Sequence, residues 1–252
     1  MTAPPAQRPA RFVKRVPVDI EVEYQATEHL RSGGGMLRNA VAQPDASHVP
    51  QGESAVGEAS GAMGGLAASF PTGRGGLSSA QVGELVALLD ESRMTQGKIG
   101  PDSTNNLVRS IRSGAVQWLG SEEIGEQLYS HLLTLAVVAN RERRWNFTLE
   151  GITPFLQATR YDAAGREHYG WHMDWGLGRT RMRKVTVVVH LTDASEFEGG
   201  ALQLTTGSNP VEAVQLAGTC TVFPSFLLHC VTPVTAGTRL GAVAWALGAP
   251  FR

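Results

Sequence analysis

The chain has 252 residues, with 22 basic and 23 acidic side chains and a formal net charge of −1. This length suits one substantial domain. The near-neutral balance excludes a strong electrostatic footprint for nucleic acid or an anionic membrane. Cys220 and Cys230 cannot make a disulfide framework, and no stretch approaches the ~18 consecutive apolar residues of a membrane span. We therefore expect a cytoplasmic protein that has neither a nucleic-acid nor a membrane partner.

The N-terminal part differs in composition from the rest of the chain. Residues 32–76 are dense in Gly, Ala, Ser and Pro, which bury too little apolar surface to offset the entropy cost of ordering them. Before them, apolar residues alternate with polar ones over 16–24, which predicts a strand. We expect residues 1–76 to be a flexible extension and residues 77–252 to form the folded domain.

A helical period begins at Ser78, which is a suitable N-cap residue, and a second, longer helix is predicted after Ser121. Beyond Trp145 the period changes from 3.6 to 2, in short runs that turn residues separate: 153–161, 184–191, 201–205, 219–224 and 239–247. Many short strands of this kind predict antiparallel sheets. We predict an α+β, mostly β fold, with a double-stranded β-helix (jelly roll) core buttressed by the N-terminal helices.

Three residues in the β-rich part form a candidate metal site. His172 and Asp174 are two residues apart, so in an extended backbone they point the same way, and His229 supplies a third ligand at the end of a later strand. Two histidines and a carboxylate on one face of an octahedral iron leave positions for a bidentate 2-oxo acid and for O₂. A zinc hydrolase could use the same ligands, but it would need a nearby general base.

Arg239, shortly after His229, distinguishes these two readings. Its guanidinium can hold the distal carboxylate of 2-oxoglutarate through paired hydrogen bonds, a function that a zinc hydrolase does not need. Trp245 shares the Arg239 face by alternation along the same strand and would wall the pocket with apolar surface.

Four motifs follow in fixed order: Tyr161-Asp162-Ala163-Ala164-Gly165, His168 to Asp174, Glu198-Gly199-Gly200-Ala201-Leu202, and Phe223 to Arg239. Through these motifs the stretch from Leu156 to Arg252 resembles the prolyl-4-hydroxylase-like branch of the Fe(II)/2-oxoglutarate-dependent dioxygenases, and bacterial PKHD-type hydroxylases in particular.

The resemblance implies Fe(II), 2-oxoglutarate and O₂, with ascorbate as a stimulant, and a reaction that releases succinate and CO₂ while an unactivated C–H bond is hydroxylated. Asp174 stands where related halogenases have a small residue, which favours hydroxylation. Trp245 stands where the nucleic-acid demethylase branch has a second arginine. The expected substrate is an amino acid, either free or linked in a peptide or protein. The alternatives are another small metabolite, an outcome of desaturation or cyclisation, and a jelly roll that binds metal without catalysis.

Three further residues each have two possible interpretations. Tyr161 either hydrogen-bonds 2-oxoglutarate, as a tyrosine does in the enzymes it resembles, or is a core tyrosine. His190 either faces the pocket and contacts the co-substrate or is a satisfied buried histidine. Arg181 belongs to a charged run that lies either over the pocket mouth or in solvent. Trp171, Trp175 and Trp245 are the remaining candidates for substrate contact.

Overall fold

The computed structural model describes residues 65–97, 111–207 and 209–251. The predicted strand over 16–24 and most of the Gly-rich extension lie outside the described residues.

The helices occur where the sequence predicts them. Helix α1 (Ser79–Ala87) begins after Ser78, whose hydroxyl accepts a hydrogen bond from the Gln81 amide in a capping box. The second predicted helix is divided at Gly125, which has a φ of 79°, into α2 (Ser121–Ile124) and α3 (Glu126–Glu142). Among the described residues no helix is long and apolar enough to cross a membrane.

The strands of the described residues, in chain order, are β1 (Ala68–Phe70), β2 (Thr95–Gln96), β3 (Ala115–Gly120), β4 (Gly151–Ile152), β5 (Phe155–Asp162), β6 (Tyr169–His172), β7 (Arg183–His190), β8 (Phe197–Gly199), β9 (Leu202–Thr205), β10 (Val211–Glu212), β11 (Cys220–Pro224), β12 (Leu228–Val231) and β13 (Val234–Leu247). The larger sheet has the order β1-β11-β7-β13-β5-β3-β2, and both β4 and β8 pair with β13. The smaller sheet has the order β10-β9-β12-β6.

The two sheets face each other. Val188 and Phe223 of the larger sheet pack with Leu202, Leu204 and Leu227, which lie in or beside the smaller one. Every strand pair in the described part of the chain is antiparallel, and the predicted jelly roll is confirmed.

Alternation divides the residues of the larger sheet between a core and a pocket. Along β7, Val185, Val187 and Val189 are fully buried in the cluster that also contains α1 and α3, so the helices cover this outer face as predicted. Thr186 and His190 point to the other face, toward the smaller sheet. Polar side chains that are buried on that inner face therefore lie between the sheets.

The folded part begins earlier than the predicted boundary at residue 77. Residues 68–70 form β1, which pairs with β11 through Ala68 opposite Val222 and Phe70 opposite Cys220. Ala68 and Phe70 are fully buried. A short apolar run within the Gly-rich stretch thus supplies an edge strand to the larger sheet, which the average composition of residues 32–76 conceals.

Candidate metal centre and co-substrate pocket

The structure brings His172, Asp174 and His229 together between the two sheets. His172 ends β6 and lies directly opposite His229 of β12 in the antiparallel register. Asp174 follows two residues after His172, and one ligand atom from each of the three residues lies within 4.8 Å of the other two. This is the grouping that the sequence predicts.

Hydrogen bonds orient both imidazoles toward the carboxylate. Nδ1 of His172 lies 2.8 Å from the Gly170 carbonyl oxygen, and Nδ1 of His229 lies 2.9 Å from that of Leu227. Because a carbonyl can only accept, each Nδ1 carries a hydrogen, and each Nε2 is the ring nitrogen that faces the carboxylate. Nε2 of His172 lies 3.7 Å from one Asp174 carboxylate oxygen, and Nε2 of His229 lies 3.6 Å from the other. The candidate ligand atoms of the three residues therefore converge on one point.

Thr186 of β7 and the turn that follows β11 hold Asp174 in place. The Thr186 hydroxyl donates a hydrogen bond of 2.9 Å to Oδ2 of Asp174. The backbone amides of Asp174 and Trp175 both donate to the Ser225 carbonyl oxygen, each at 2.9 Å. Contacts of this kind around a metal ligand fix its orientation.

The electrostatics of the triad favour the protonation state that binds a cation. Burial and then the charge of His229 lower the pKa of His172 to about 3. Burial raises the pKa of Asp174, but the nearby His229, His172 and Arg183 outweigh it and bring the pKa below its usual value. At neutral pH the site therefore holds a neutral imidazole at His172 and a carboxylate at Asp174, the forms that ligate metals.

Arg239 lies on the inner face of the larger sheet. It pairs with Tyr161 across β13 and β5, is 2% exposed, and has its Cζ atom 5.7 Å from the Tyr161 ring centre. Its Nε and Nη2 atoms are buried and have no hydrogen-bond partner among the described residues. A buried guanidinium without acceptors is costly, and a carboxylate in the pocket would satisfy it.

His190 is the second polar side chain at this end of the pocket. It lies opposite Gly241, two residues along β13 from Arg239, so both side chains point to the same face. Its Nε2 atom lies 3.3 Å from the Thr221 hydroxyl. Burial and then the charge of Arg239 lower the pKa of His190 to about 3, so the imidazole is neutral beside the guanidinium. Of the two readings of this residue, the pocket-facing one matches the register.

At the other end of the pocket, Trp245 and Arg183 lie close to the triad. The Arg183 Cζ atom stacks 3.7 Å from the Trp245 ring centre, and Nη1 of Arg183 donates to the Asp174 carbonyl oxygen at 3.3 Å. The Trp245 side chain is 3% exposed, as expected of a wall residue. Arg181, the predicted arginine, is exposed in the 3-10 helix Gly178–Met182. The sequence therefore pointed to the charged run that contains both arginines, but to Arg181 and not to Arg183.

The remaining predicted contacts lie at the rim. Trp171 is 43% exposed, and the half-buried Trp175 packs edge-on against Phe251 with 5.8 Å between the ring centres. Sequence reasoning also missed Arg112, which lies over the ring of Tyr169 close to His172. In sequence Arg112 is one of several arginines in a polar loop, and nothing in the pattern separates it from the others.

Residues 156–247 match the family model of the 2OG-Fe(II) oxygenase superfamily, and this range contains the triad and Arg239. These residues form a 2OG-Fe(II) oxygenase domain. The superfamily implies Fe(II), 2-oxoglutarate and O₂. The site fits them, because its two nitrogens and one carboxylate suit Fe(II) and the unpartnered Arg239 suits the distal carboxylate of 2-oxoglutarate.

Relatives of this oxygenase domain carry the PKHD-type hydroxylase name. One from Synechococcus sp. (strain CC9605) is 39% identical over 80 residues, covering 31% of this chain and 36% of the relative. One from Gloeothece citriformis (strain PCC 7424) is 29% identical over 175 residues, covering 67% of this chain and 74% of the relative. The match to the Synechococcus protein thus spans little more than a third of that protein's length.

Solved structures with the same fold include prolyl hydroxylases. A Pseudomonas putida prolyl-4-hydroxylase superposes with a TM-score of 0.56 at 20% identity, covering 73% of this chain and 92% of the other. A Trichoplax adhaerens prolyl hydroxylase, in complex with a peptide fragment of the hypoxia inducible factor oxygen degradation domain, gives 0.55 at 22% identity, covering 67% of this chain and 77% of the other. These likenesses support the jelly roll.

Proposed function

We propose that this protein is an Fe(II)- and 2-oxoglutarate-dependent oxygenase that hydroxylates an unactivated C–H bond. The observation that carries the proposal is the buried Arg239 guanidinium. Its Nε and Nη2 atoms have no partner among the described residues, and it lies on the inner face of the larger sheet, toward the smaller sheet that carries His172 and His229. A metal site alone would fit many activities, whereas a metal site with this cation fits a dicarboxylate co-substrate.

The chain's own residues have separable tasks. His172, Asp174 and His229 would hold the iron, Arg239 would bind the distal carboxylate, and His190 and Tyr161 border that carboxylate. Arg183 contacts the Asp174 backbone and stacks on the buried Trp245, and the pair would limit the access of water to that side of the triad. The bound iron and 2-oxoglutarate would supply the oxidising chemistry, in which the co-substrate is converted to succinate and CO₂.

We propose an amino acid as the substrate, either free or within a peptide or protein. The PKHD-type hydroxylase names of the relatives support a hydroxylase, and the peptide-bound Trichoplax structure is a case in which the same fold accepts a peptide. We further propose that the protein works in the cytoplasm, since Cys220 and Cys230 are both free thiols.

The test is turnover against a library of amino acids and peptides, with succinate release as the first readout and product mass as the second. The proposal predicts substrate-stimulated succinate formation and a product heavier by one oxygen atom. A product lighter by two hydrogens would show desaturation or cyclisation instead. Asp174→Ala should abolish turnover, and unimpaired turnover in that variant would contradict its assignment as a ligand.

A further inference from the structure

Strand β6 contains an irregularity directly before the metal ligands. His172 pairs with His229 and Tyr169 pairs with Val231, so three steps along β6 match only two along β12. Residues three apart in a regular strand point to opposite faces, but the extra residue of a β-bulge brings them to the same face. The bulge therefore places the Tyr169 ring beside the His172 ring.

The two rings stack. Their centres are 3.5 Å apart and their planes differ by 13°. The guanidinium of Arg112 lies over the same tyrosine ring, with Cζ 4.4 Å from its centre. Because the imidazole covers one face of the phenol, the guanidinium takes the other face. Arg112, Tyr169 and His172 thus form three successive layers that end on a metal ligand.

Arg112 is held where the two sheets meet. The backbone beside it pairs with β6, since the Gly170 amide donates to the Ile111 carbonyl oxygen at 2.7 Å and Arg112 forms a bridge to Tyr169. Its Nη2 atom donates to the Gln157 side chain at 3.0 Å, and only 6% of the residue is exposed. The larger sheet therefore fixes the guanidinium through Gln157, and the smaller sheet presents the ring that it covers.

His172 has more need of such support than His229. The His172 side chain is 14% exposed, against 5% for His229. His229 is also enclosed by Phe223, whose ring centre lies 4.8 Å away in an edge-on contact. A single bond from Nδ1 to the Gly170 carbonyl oxygen leaves the His172 ring able to tilt about that bond. A flat stack opposes this tilt.

We propose that Arg112 and Tyr169 are positioning residues, which hold the plane of the His172 ring in the orientation that binds the metal. This inference rests on the proposed metal site. Loss of a contact that orients a ligand typically costs about 10- to 100-fold in metal affinity. We expect losses of that order when the stack is broken.

The experiment is a titration of the apo protein with Co(II), followed by the visible d–d absorption, which reports both affinity and ligand geometry without turnover. Arg112→Met removes the cation and Tyr169→Leu removes the ring, and each should weaken Co(II) binding about 10- to 100-fold and alter the spectrum. Arg112→Lys and Tyr169→Phe keep a cation and a ring, and we expect each to bind within about threefold of the wild type.

Arg160→Met is the matched control. It removes a half-buried arginine, whose ion pairs with Glu91 and Asp162 lie away from the triad. Wild-type Co(II) affinity in this control, with losses in Arg112→Met and Tyr169→Leu, supports the proposal. Wild-type affinity and spectrum in Tyr169→Leu would overturn it, as would an equal loss in Arg160→Met. If the wild type itself binds no Co(II), the proposed metal site fails as well, so the two failures are distinguishable.

Discussion

Replacement of Arg239 by methionine should have opposite effects on co-substrate binding and on the stability of the apo protein. Methionine keeps much of the side-chain volume but removes the guanidinium. In the apo protein this guanidinium is 2% exposed with Nε and Nη2 unpartnered, and burial lowers its pKa. The unpartnered guanidinium therefore destabilises the native apo protein, and a bound anion would remove this destabilisation.

The magnitude follows from the burial. Removal of one partner from a buried, hydrogen-bonded charge pair costs about 2–5 kcal/mol of binding free energy, which is roughly 30-fold to a few thousand-fold in the dissociation constant of 2-oxoglutarate. Removal of the unsatisfied group from the apo protein should raise its free energy of unfolding by about 1–3 kcal/mol. General damage to the fold would instead lower the affinity for 2-oxoglutarate and the free energy of unfolding together.

The assay pairs anaerobic calorimetric titration of 2-oxoglutarate into the Fe(II)-loaded protein with urea denaturation of the apo protein. Arg160→Met is the control, since Arg160 lies on the neighbouring strand opposite Leu240 and pairs with surface carboxylates. Its 2-oxoglutarate affinity should match the wild type. An Arg239→Met variant that binds 2-oxoglutarate within about threefold of the wild type would refute the assignment of the clamp.

Three further changes test the surroundings of the site. Thr186→Val removes the 2.9 Å hydrogen bond to Asp174 and should weaken Co(II) binding about tenfold, so unchanged binding would contradict the orienting role of the hydroxyl. Gly200→Ala places a Cβ at a φ of 60° and 2.9 Å from Cδ of Arg239, so urea denaturation should show a loss of about 1–3 kcal/mol, and wild-type stability would contradict this. Because the pKa of His190 is lowered to about 3, the unfolded chain takes up a proton below about pH 6.5 that the native protein does not, and the wild type loses stability as pH falls. His190→Gln should reduce that slope by up to about 1.4 kcal/mol per pH unit in urea melts of the apo protein, and an unchanged slope would contradict the lowered pKa.

The sequence predicts the metal centre well because short-range geometry determines it. His172 and Asp174 are two residues apart in extended backbone, and Arg239 and Trp245 alternate onto one face of a single strand, so the regular period of 2 suffices. The turn glycines also follow from local chemistry. Gly199 and Gly200 of the Glu-Gly-Gly motif have φ values of 73° and 60°, a backbone conformation that favours glycine.

Two contacts could not be predicted, because bulges interrupt that period. Strict alternation places Arg183 on the outer face of β7 with Val185. The register of β7 against β13 shifts between Ala246 and Leu247, and Leu247 pairs with Arg183, which brings Arg183 onto the Trp245 face. The bulge in β6 does the same for Tyr169. A bulge depends on how two strands pair, so the sequence of one strand does not reveal it.

The edge strand β1 was missed for a different reason. Its three residues lie in a segment whose average composition predicts a linker, and they are ordered by pairing with β11, more than 140 residues later in the chain. Long-range pairing of so short a segment leaves no periodic signal.

Anaerobic titration of the apo protein with Fe(II) and then 2-oxoglutarate tests the central claim most directly. If His172, Asp174 and His229 hold Fe(II) and Arg239 positions 2-oxoglutarate on it, a weak visible charge-transfer band should grow with the co-substrate and saturate. Asp174→Ala removes one of the three metal ligands, so its band should develop only at a higher Fe(II) concentration than in the wild type. A folded wild-type protein that shows no band at saturating Fe(II) and 2-oxoglutarate would contradict the assignment of the site.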